Sequence, residues 1–441
     1  MVATLGTPKT LTPSKAAPKS AGWHALTATF IGEGFDAMDA SIYFIAMFPA
    51  LSELLHTKDA ATVGWHGSII LAIFMLGWSL GSIASGWAAD RFGRVKTMIW
   101  TIILYAVATA LCATAQSWWD FGIYRFFVGL GIGGEIAVGG VVLAEAWTGP
   151  RRRWALAVMQ TSFGAGCLLC SLCNLSTGSL GWRWLFLMGL APAFTTLYMR
   201  LKLSESTSFK ELHAKRRELT TKVKEALTNA ERDTLKNPLL VAFNEQNRVN
   251  TIVCTVGAGA AIIGYWACLS WMSPWINQLT GTEAVNERSA ASFYMGIGGI
   301  LGTLFTPLLI KWLGFRRSMQ LGFIASFLPT ILMYLTVKSY TPDLNIWALV
   351  IGFGAYSPFL VVTIYSLEIF ATNVLGSVSG IMWSGGRILA AIAGLFTGPI
   401  ILFFHGSYAY AAATISLVYL TGIVAAHFVK EPAKAFVESI D

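Results

Sequence analysis

Glu33, Asp36, Asp39, Arg125, Glu135 and Arg387 stand inside long apolar stretches of the chain. An ionised group in hydrocarbon costs several kcal/mol unless it is paired or hydrated, so each is a candidate for chemistry. The first three sit in Gly32-Glu33-Gly34-Phe35-Asp36-Ala37-Met38-Asp39. On a helix, Glu33 and Asp36 occupy neighbouring positions of one face, and Asp39 drifts round by about 60° per step. Three carboxylates so close repel one another, which suits a group that must take up and release a proton. Arg125 opens a glycine-rich run, Arg125-Phe126-Phe127-Val128-Gly129-Leu130-Gly131-Ile132-Gly133-Gly134-Glu135. The expected pair is Asp36 with Arg125, the proton competing with the arginine for the carboxylate. Glu135 lies about 15 Å further along the same helix and cannot share that depth, so it reads as a second proton or substrate site. Arg387, in Ser384-Gly385-Gly386-Arg387, has no acid in its own apolar stretch. A guanidinium matches a carboxylate with two parallel hydrogen bonds, so a bound organic acid suits it. Trp383, Tyr265, Tyr356 and Asp39 are the further candidates for lining a substrate cavity.

These residues need helices that cross a bilayer. The 441-residue chain is 55% hydrophobic and 12% charged, whereas soluble domains are about a quarter charged. Its charges are crowded between apolar blocks long enough to span about 30 Å of hydrocarbon. Twelve spans are expected, near 23–51, 65–89, 95–115, 119–146, 153–177 and 182–201, then 250–279, 289–313, 317–337, 344–370, 376–404 and 407–429. The fold class is therefore an all-α membrane protein of two six-helix bundles, 23–201 and 249–429. A polar linker with surface helices (202–248) joins them, and polar tails (1–22 and 430–441) flank them.

With the amino terminus inside, 25 of the 31 lysines and arginines fall in inner segments, against Lys58, Arg183, Arg288 and Lys338 outside. The positive-inside rule then places both termini in the cytoplasm of a bacterial-type plasma membrane. Anionic lipid accounts for the net charge of +8, so no nucleic acid is implied. The six cysteines all lie in apolar blocks and make no disulfide framework. Cys167, Cys170 and Cys173 recur every third residue, and they read as small residues at helix contacts rather than metal ligands. No cofactor is expected, and the chain reads as a monomer.

The two halves repeat. Asp90-Arg91-Phe92-Gly93-Arg94-Val95-Lys96-Thr97-Met98 and Lys311-Trp312-Leu313-Gly314-Phe315-Arg316-Arg317-Ser318-Met319 align with a shift of 221 residues. Glu145 and Glu368 echo one another after the fourth and tenth spans. Gly86-Trp87-Ala88-Ala89-Asp90-Arg91-Phe92-Gly93-Arg94-Val95-Lys96 resembles the signature loop of the major facilitator superfamily, Gly-x-x-x-Asp-Arg-x-Gly-Arg-x-Lys. The resemblance covers essentially the whole chain. It implies a secondary transporter working by alternating access, with a cytoplasmic gate at Gly86, Asp90, Arg91, Gly93, Arg94, Glu145, Arg152 and Glu368.

Within that superfamily, Glu-Gly-Phe-Asp in span 1, Gly-Gly-Glu in span 4 and Gly-Arg in span 11 are most similar to the sialate, monocarboxylate and aromatic-acid:proton symporters. The implied substrates are a small organic anion and protons. The Pro-Thr-x-x-Arg of related chains is missing at Ala371-Thr372-Asn373-Val374-Leu375-Gly376. A sugar or other neutral-solute porter, or an efflux antiporter, is the alternative on the same fold. Against the sugar reading, Leu203-Ser204-Glu205-Ser206 is only a remnant of the expected Pro-Glu-Ser-Pro. A non-transporting receptor or a membrane enzyme is disfavoured, because no phosphate-cradling loop, His-rich metal set or nucleophile elbow is visible.

Overall fold

The computed structural model describes residues 19–147, 150–177, 180–194, 243–245, 247–281, 284–370 and 372–431. Its helices are α1 (Lys19–Leu54), α2 (Ala60–Phe92), α3 (Arg94–Cys112), α4 (Trp118–Ala146), α5 (Pro150–Thr177), α6 (Trp182–Leu187), α7 (Arg248–Thr280), α8 (Val285–Thr336), α9 (Leu344–Ile369), α10 (Thr372–Phe403), α11 (Tyr408–Ser416) and α12 (Val418–His427). Nine helical stretches among the described residues are long and apolar enough to cross a membrane. Residues 1–18 and 432–441 of the tails, most of the linker and the latter part of the sixth span lie outside the described residues, whereas residues 19–22 of the first tail already belong to α1.

α8 is too long for one crossing. Its 52 residues would run about 78 Å as a straight helix, more than twice the hydrocarbon thickness. Gly314 breaks it with φ 77°, a left-handed backbone that glycine adopts without strain. The chain then doubles back along α9. A Cβ on Gly302 would strike the Phe353 carbonyl, and one on Gly354 would strike that of Ala325. Residues on opposite sides of Gly314 thus flank one point of α9, and the two arms of α8 are the expected spans at 289–313 and 317–337. Gly93, which separates α2 from α3, also has positive φ, at 110°. It stands 221 residues before Gly314, as the repeated loop requires.

The same shift governs packing. Hydrophobic burial drives helices together weakly in lipid, so close backbone contact through small residues matters more. On α2, Gly77 and Gly81 abut the Phe126 and Leu130 carbonyls of α4, and Gly129 and Gly133 return the contact to Phe74 and Trp78. On α8, Gly298 and Gly302 abut Leu349 and Phe353 of α9, and Gly352 returns it to Met295. Gly77 and Gly81 plus 221 give Gly298 and Gly302, so one interlocking joint is built twice. A methyl on Gly81 or Gly302 would sit 2.1 Å from a backbone carbonyl oxygen, which no rotamer change relieves. Gly81→Ala and Gly302→Ala should each cost about 1–3 kcal/mol as overpacking. Thermal unfolding in detergent checks this, with the open Gly380→Ala, whose Cβ meets nothing within 4 Å, as control.

The halves meet along two seams. α5 lies on the first arm of α8, where Gly164 and Gly296 face each other's carbonyls, and α2 runs beside α10 from Gly398 against Ser68 to Ser79 against the Ser384 carbonyl. At the Gly93/Gly314 end, Arg153 of α5 grips Glu368 of α9 with two bonds of 2.5 and 2.8 Å. There Glu431, after α12, accepts the Phe315 and Arg316 amides that open the second arm of α8. At the opposite end, Tyr408 donates to the Ala60 carbonyl, Asn174 to Ser289, and Arg288 to the Ile45 carbonyl. Both ends of the interface between the halves are therefore bridged.

Candidate functional site

α1 carries its three acids through the middle of the first bundle, and each meets a different helix. Asp39 is the partner of Arg125: Nη1 donates to Oδ2 at 2.9 Å, with Arg125 0% and Asp39 2% exposed. Thr109 of α3 donates to the other oxygen at 2.5 Å. The guanidinium also lies 4.4 Å from the Phe74 ring centroid and 5.0 Å from that of Tyr43, which lets aromatic faces share its charge.

The expected Asp36–Arg125 pair is therefore corrected, and Asp39 is not an open substrate contact. The reason is depth. α4 runs antiparallel to α1 and reaches Arg125 soon after its start at Trp118, close to the end where α1 finishes. Asp39 is about 4.5 Å nearer that end than Asp36, and so lies within the arginine's reach.

That leaves Asp36 for the second half. Asp36 is buried at 1% exposure, and its carboxylate acts electrostatically on Arg387 of α10. Arg387 is buried midway along its helix. Its guanidinium lies 4.5 Å from the Trp78 ring centroid and 5.8 Å from that of Trp383, and Nη1 donates to Ser82 of α2 at 3.4 Å. Glu33 is buried, one turn from Asp36, and accepts from Ser162 of α5 at 3.3 Å.

Aromatic walls continue from Arg387. Trp383 stacks on Phe359 at 6.0 Å and 9°, Phe359 meets Tyr265 edge-on, and the Tyr265 and Tyr356 hydroxyls are 2.8 Å apart. Cys167 of α5 completes this end, 3.4 Å from the Tyr356 hydroxyl and 3.2 Å from that of Ser41 on α1. Cys167 is a contact that the sequence reading missed, because a thiol among small residues looks like helix packing. Its chemistry comes from four helices of both halves meeting at one point. The arrangement is a buried cation with a neighbouring acid at one side and neutral hydrogen-bonding groups at the other, with aromatic rings between.

A match to the Major Facilitator Superfamily spans residues 29–395. The chain belongs to this superfamily. It is a membrane transporter and not an enzyme, and the fold is the twelve-span pair of bundles. It is 26% identical over 93% of its length to a putative metabolite transport protein of Haemophilus influenzae, covering 96% of that protein. It is 29% identical over 83% of its length to a cis,cis-muconate transport protein of Acinetobacter baylyi, covering 85% of it. Its fold is similar to that of the human organic anion transporter MFSD10 (TETRAN), with a TM-score of 0.66 at 16% identity, over 92% of this chain and 99% of that one.

Within the superfamily frame, the gate residues are only partly visible. Gly93 breaks the helix as described, whereas the side chains at positions 86, 90, 91 and 94, and those of Glu135 and Glu145, lie outside the described residues. Glu368 is hydrogen-bonded by Arg153, and its charge also acts on the neighbouring Arg152. One residue along a helix turns the side chain by about 100°, and Arg152 Nε has no hydrogen-bond partner among the described residues.

Proposed function

We propose that this transporter carries a small organic anion together with a proton by alternating access. The observation that carries the reading is Arg387, buried between the two halves beside tryptophan faces, with Asp36 acting on it across the interface. In this reading Asp36 and the substrate carboxylate compete for one guanidinium. A proton on Asp36 releases Arg387 to the substrate, so proton and anion bind together; loss of the proton returns Asp36 to Arg387 and expels the anion. Glu33, one turn away and hydrogen-bonded only through a hydroxyl in the contacts described, is the relay for that proton. The relative named for muconate transport supports a carboxylate cargo. The Arg153–Glu368 pair, which bridges the halves at the Gly93/Gly314 end, would open and close the inward face, and the basic loops support a cytoplasmic location for that face.

The test is uptake into proteoliposomes under an imposed pH gradient, acid outside, with benzoate and cis,cis-muconate as probes. Wild type should accumulate at least one of them, and a protonophore should abolish accumulation. Asp36→Asn, which mimics a permanently protonated acid, should retain counterflow between equal pH compartments yet lose accumulation. If accumulation survives in Asp36→Asn, the proton does not travel through this residue.

A further inference from the structure

Two buried donors beside Arg387 have no hydrogen-bond partner among the described residues: the Trp78 indole Nε1 of α2 and the Ser384 hydroxyl of α10. Trp78 is 3% exposed, and Ser384 and Arg387 are 4% each. A buried donor without an acceptor is destabilising, and nearly all such groups in folded proteins are paired. Two of them at one place therefore point to an acceptor that arrives from outside.

Their positions converge on the guanidinium. The Trp78 ring centroid lies 4.5 Å from the Arg387 guanidinium carbon. Ser384 precedes Arg387 by three residues, which puts the two on one face of α10 about a turn apart. The Ser384 carbonyl accepts from Ser79 at 3.4 Å, and Ser79 is the residue after Trp78, so both donors stand at one level of the α2–α10 seam. Neighbouring serines are satisfied. Ser79 donates to the Met75 carbonyl at 3.0 Å, and Ser82 to the carbonyls of Trp78 and Gly133 at 3.0 and 2.9 Å. Ser384 does not make the corresponding bond to the carbonyl four residues before it, although a helical serine readily does so.

The chemistry of the missing partner follows from the donors. An indole N–H only donates, so the partner accepts. A carboxylate offers about four lone-pair positions on its two oxygens. The Arg387 fork can fill two of them, which leaves two for Trp78 and Ser384. Asp36 acts on Arg387 through its charge but takes a hydrogen bond from neither donor.

We infer that Trp78 and Ser384 are specificity-determining residues of the transport site, and that they donate to the substrate carboxylate alongside Arg387. This rests on the function proposed above and adds a basis for preference. An incoming carboxylate gains two hydrogen bonds that Asp36 does not make, so it can displace Asp36 from the shared guanidinium. A carboxamide presents one acceptor oxygen and an NH2 group, which cannot satisfy the same donors.

Binding of radiolabelled benzoate and cis,cis-muconate to purified protein, followed by scintillation proximity, gives the affinities. Thermal unfolding without ligand gives stability. At least one acid should bind wild type, weaken in Arg387→Gln and resist competition by benzamide. Ser384→Ala removes one oxygen atom and should weaken binding about tenfold, as expected for a hydrogen bond to a charged group. Its unliganded melting temperature should stay the same or rise, because the deleted hydroxyl had no partner to lose. Trp78→Phe keeps an aromatic ring without the N–H and should weaken binding by a similar factor. Ser79→Ala, whose hydroxyl already has acceptors, is the control and should lower the melting temperature. A lower melting temperature in Ser384→Ala would assign that hydroxyl to the fold and overturn the inference, as would equal competition by benzamide. Binding that weakens in Arg387→Gln but stays within about twofold of wild type in Ser384→Ala and Trp78→Phe would overturn this inference alone. Binding of neither acid by wild type would overturn the proposed transport with it.

Discussion

Arg387→Gln should lower organic-anion uptake by about 100-fold or more, through loss of charge-assisted hydrogen bonds worth about 1.5–3 kcal/mol each. A bidentate carboxylate uses two such bonds, and about 1.4 kcal/mol corresponds to tenfold. Initial rates in proteoliposomes give the number. Arg387→Lys should fall between, because an ammonium keeps the charge but not the fork. Arg387 also stacks near Trp78 and bonds Ser82, so unfolding of each variant must be followed in parallel. A fall in uptake with an unchanged melting profile assigns the loss to binding. Uptake of every anion tested at wild-type rate in Arg387→Gln would remove the substrate from this helix.

The fold is legible in the sequence because its signals are collective. Charge crowded between apolar blocks, a 221-residue repeat and the Gly86–Lys96 loop each point to two bundles, and an error of a few residues in any span leaves that unchanged. Even the 52-residue α8 reads as two crossings, since Gly314 repeats Gly93. The site is legible by type and not by partner. Asp36, Asp39, Arg125 and Arg387 all stand out as ions in an apolar setting. Their pairing depends on about 4.5 Å of depth along α1, which spacing within one helix cannot relate to a second helix. Arg288 illustrates the same limit: near a span end, one helical turn separates a loop charge from a buried one. Cys167 gives no signal, as its neighbours Ser41, Tyr265 and Tyr356 are distant in sequence and converge only when both bundles are assembled.

Asp39→Asn and Arg125→Gln, made singly, should each destabilise the protein by about 3–5 kcal/mol, because each leaves a buried charge without its partner. The geometry favours the large end for Asp39→Asn. Arg125 is fully buried, its Nε and Nη2 have no hydrogen-bond partner among the described residues, and Asp39 is its salt-bridge partner there. The rings of Phe74 and Tyr43 offset only part of that charge, about 2 kcal/mol at a desolvated site. Removing both charges in Asp39→Asn with Arg125→Gln should recover much of the loss, since the polar pair that remains can still hydrogen-bond and needs no desolvated ion. A double-mutant cycle on melting temperature or denaturant midpoint measures the coupling. Transport by the double variant then decides what the pair is for. If the rescued protein accumulates substrate under a pH gradient, Asp39–Arg125 is a structural clamp holding α1 to α4, and the proton path belongs to Asp36 and Glu33 on the other faces of α1. If it folds, binds and exchanges substrate but cannot accumulate it, the proton also passes through Asp39, and two acids of one helix share the coupling.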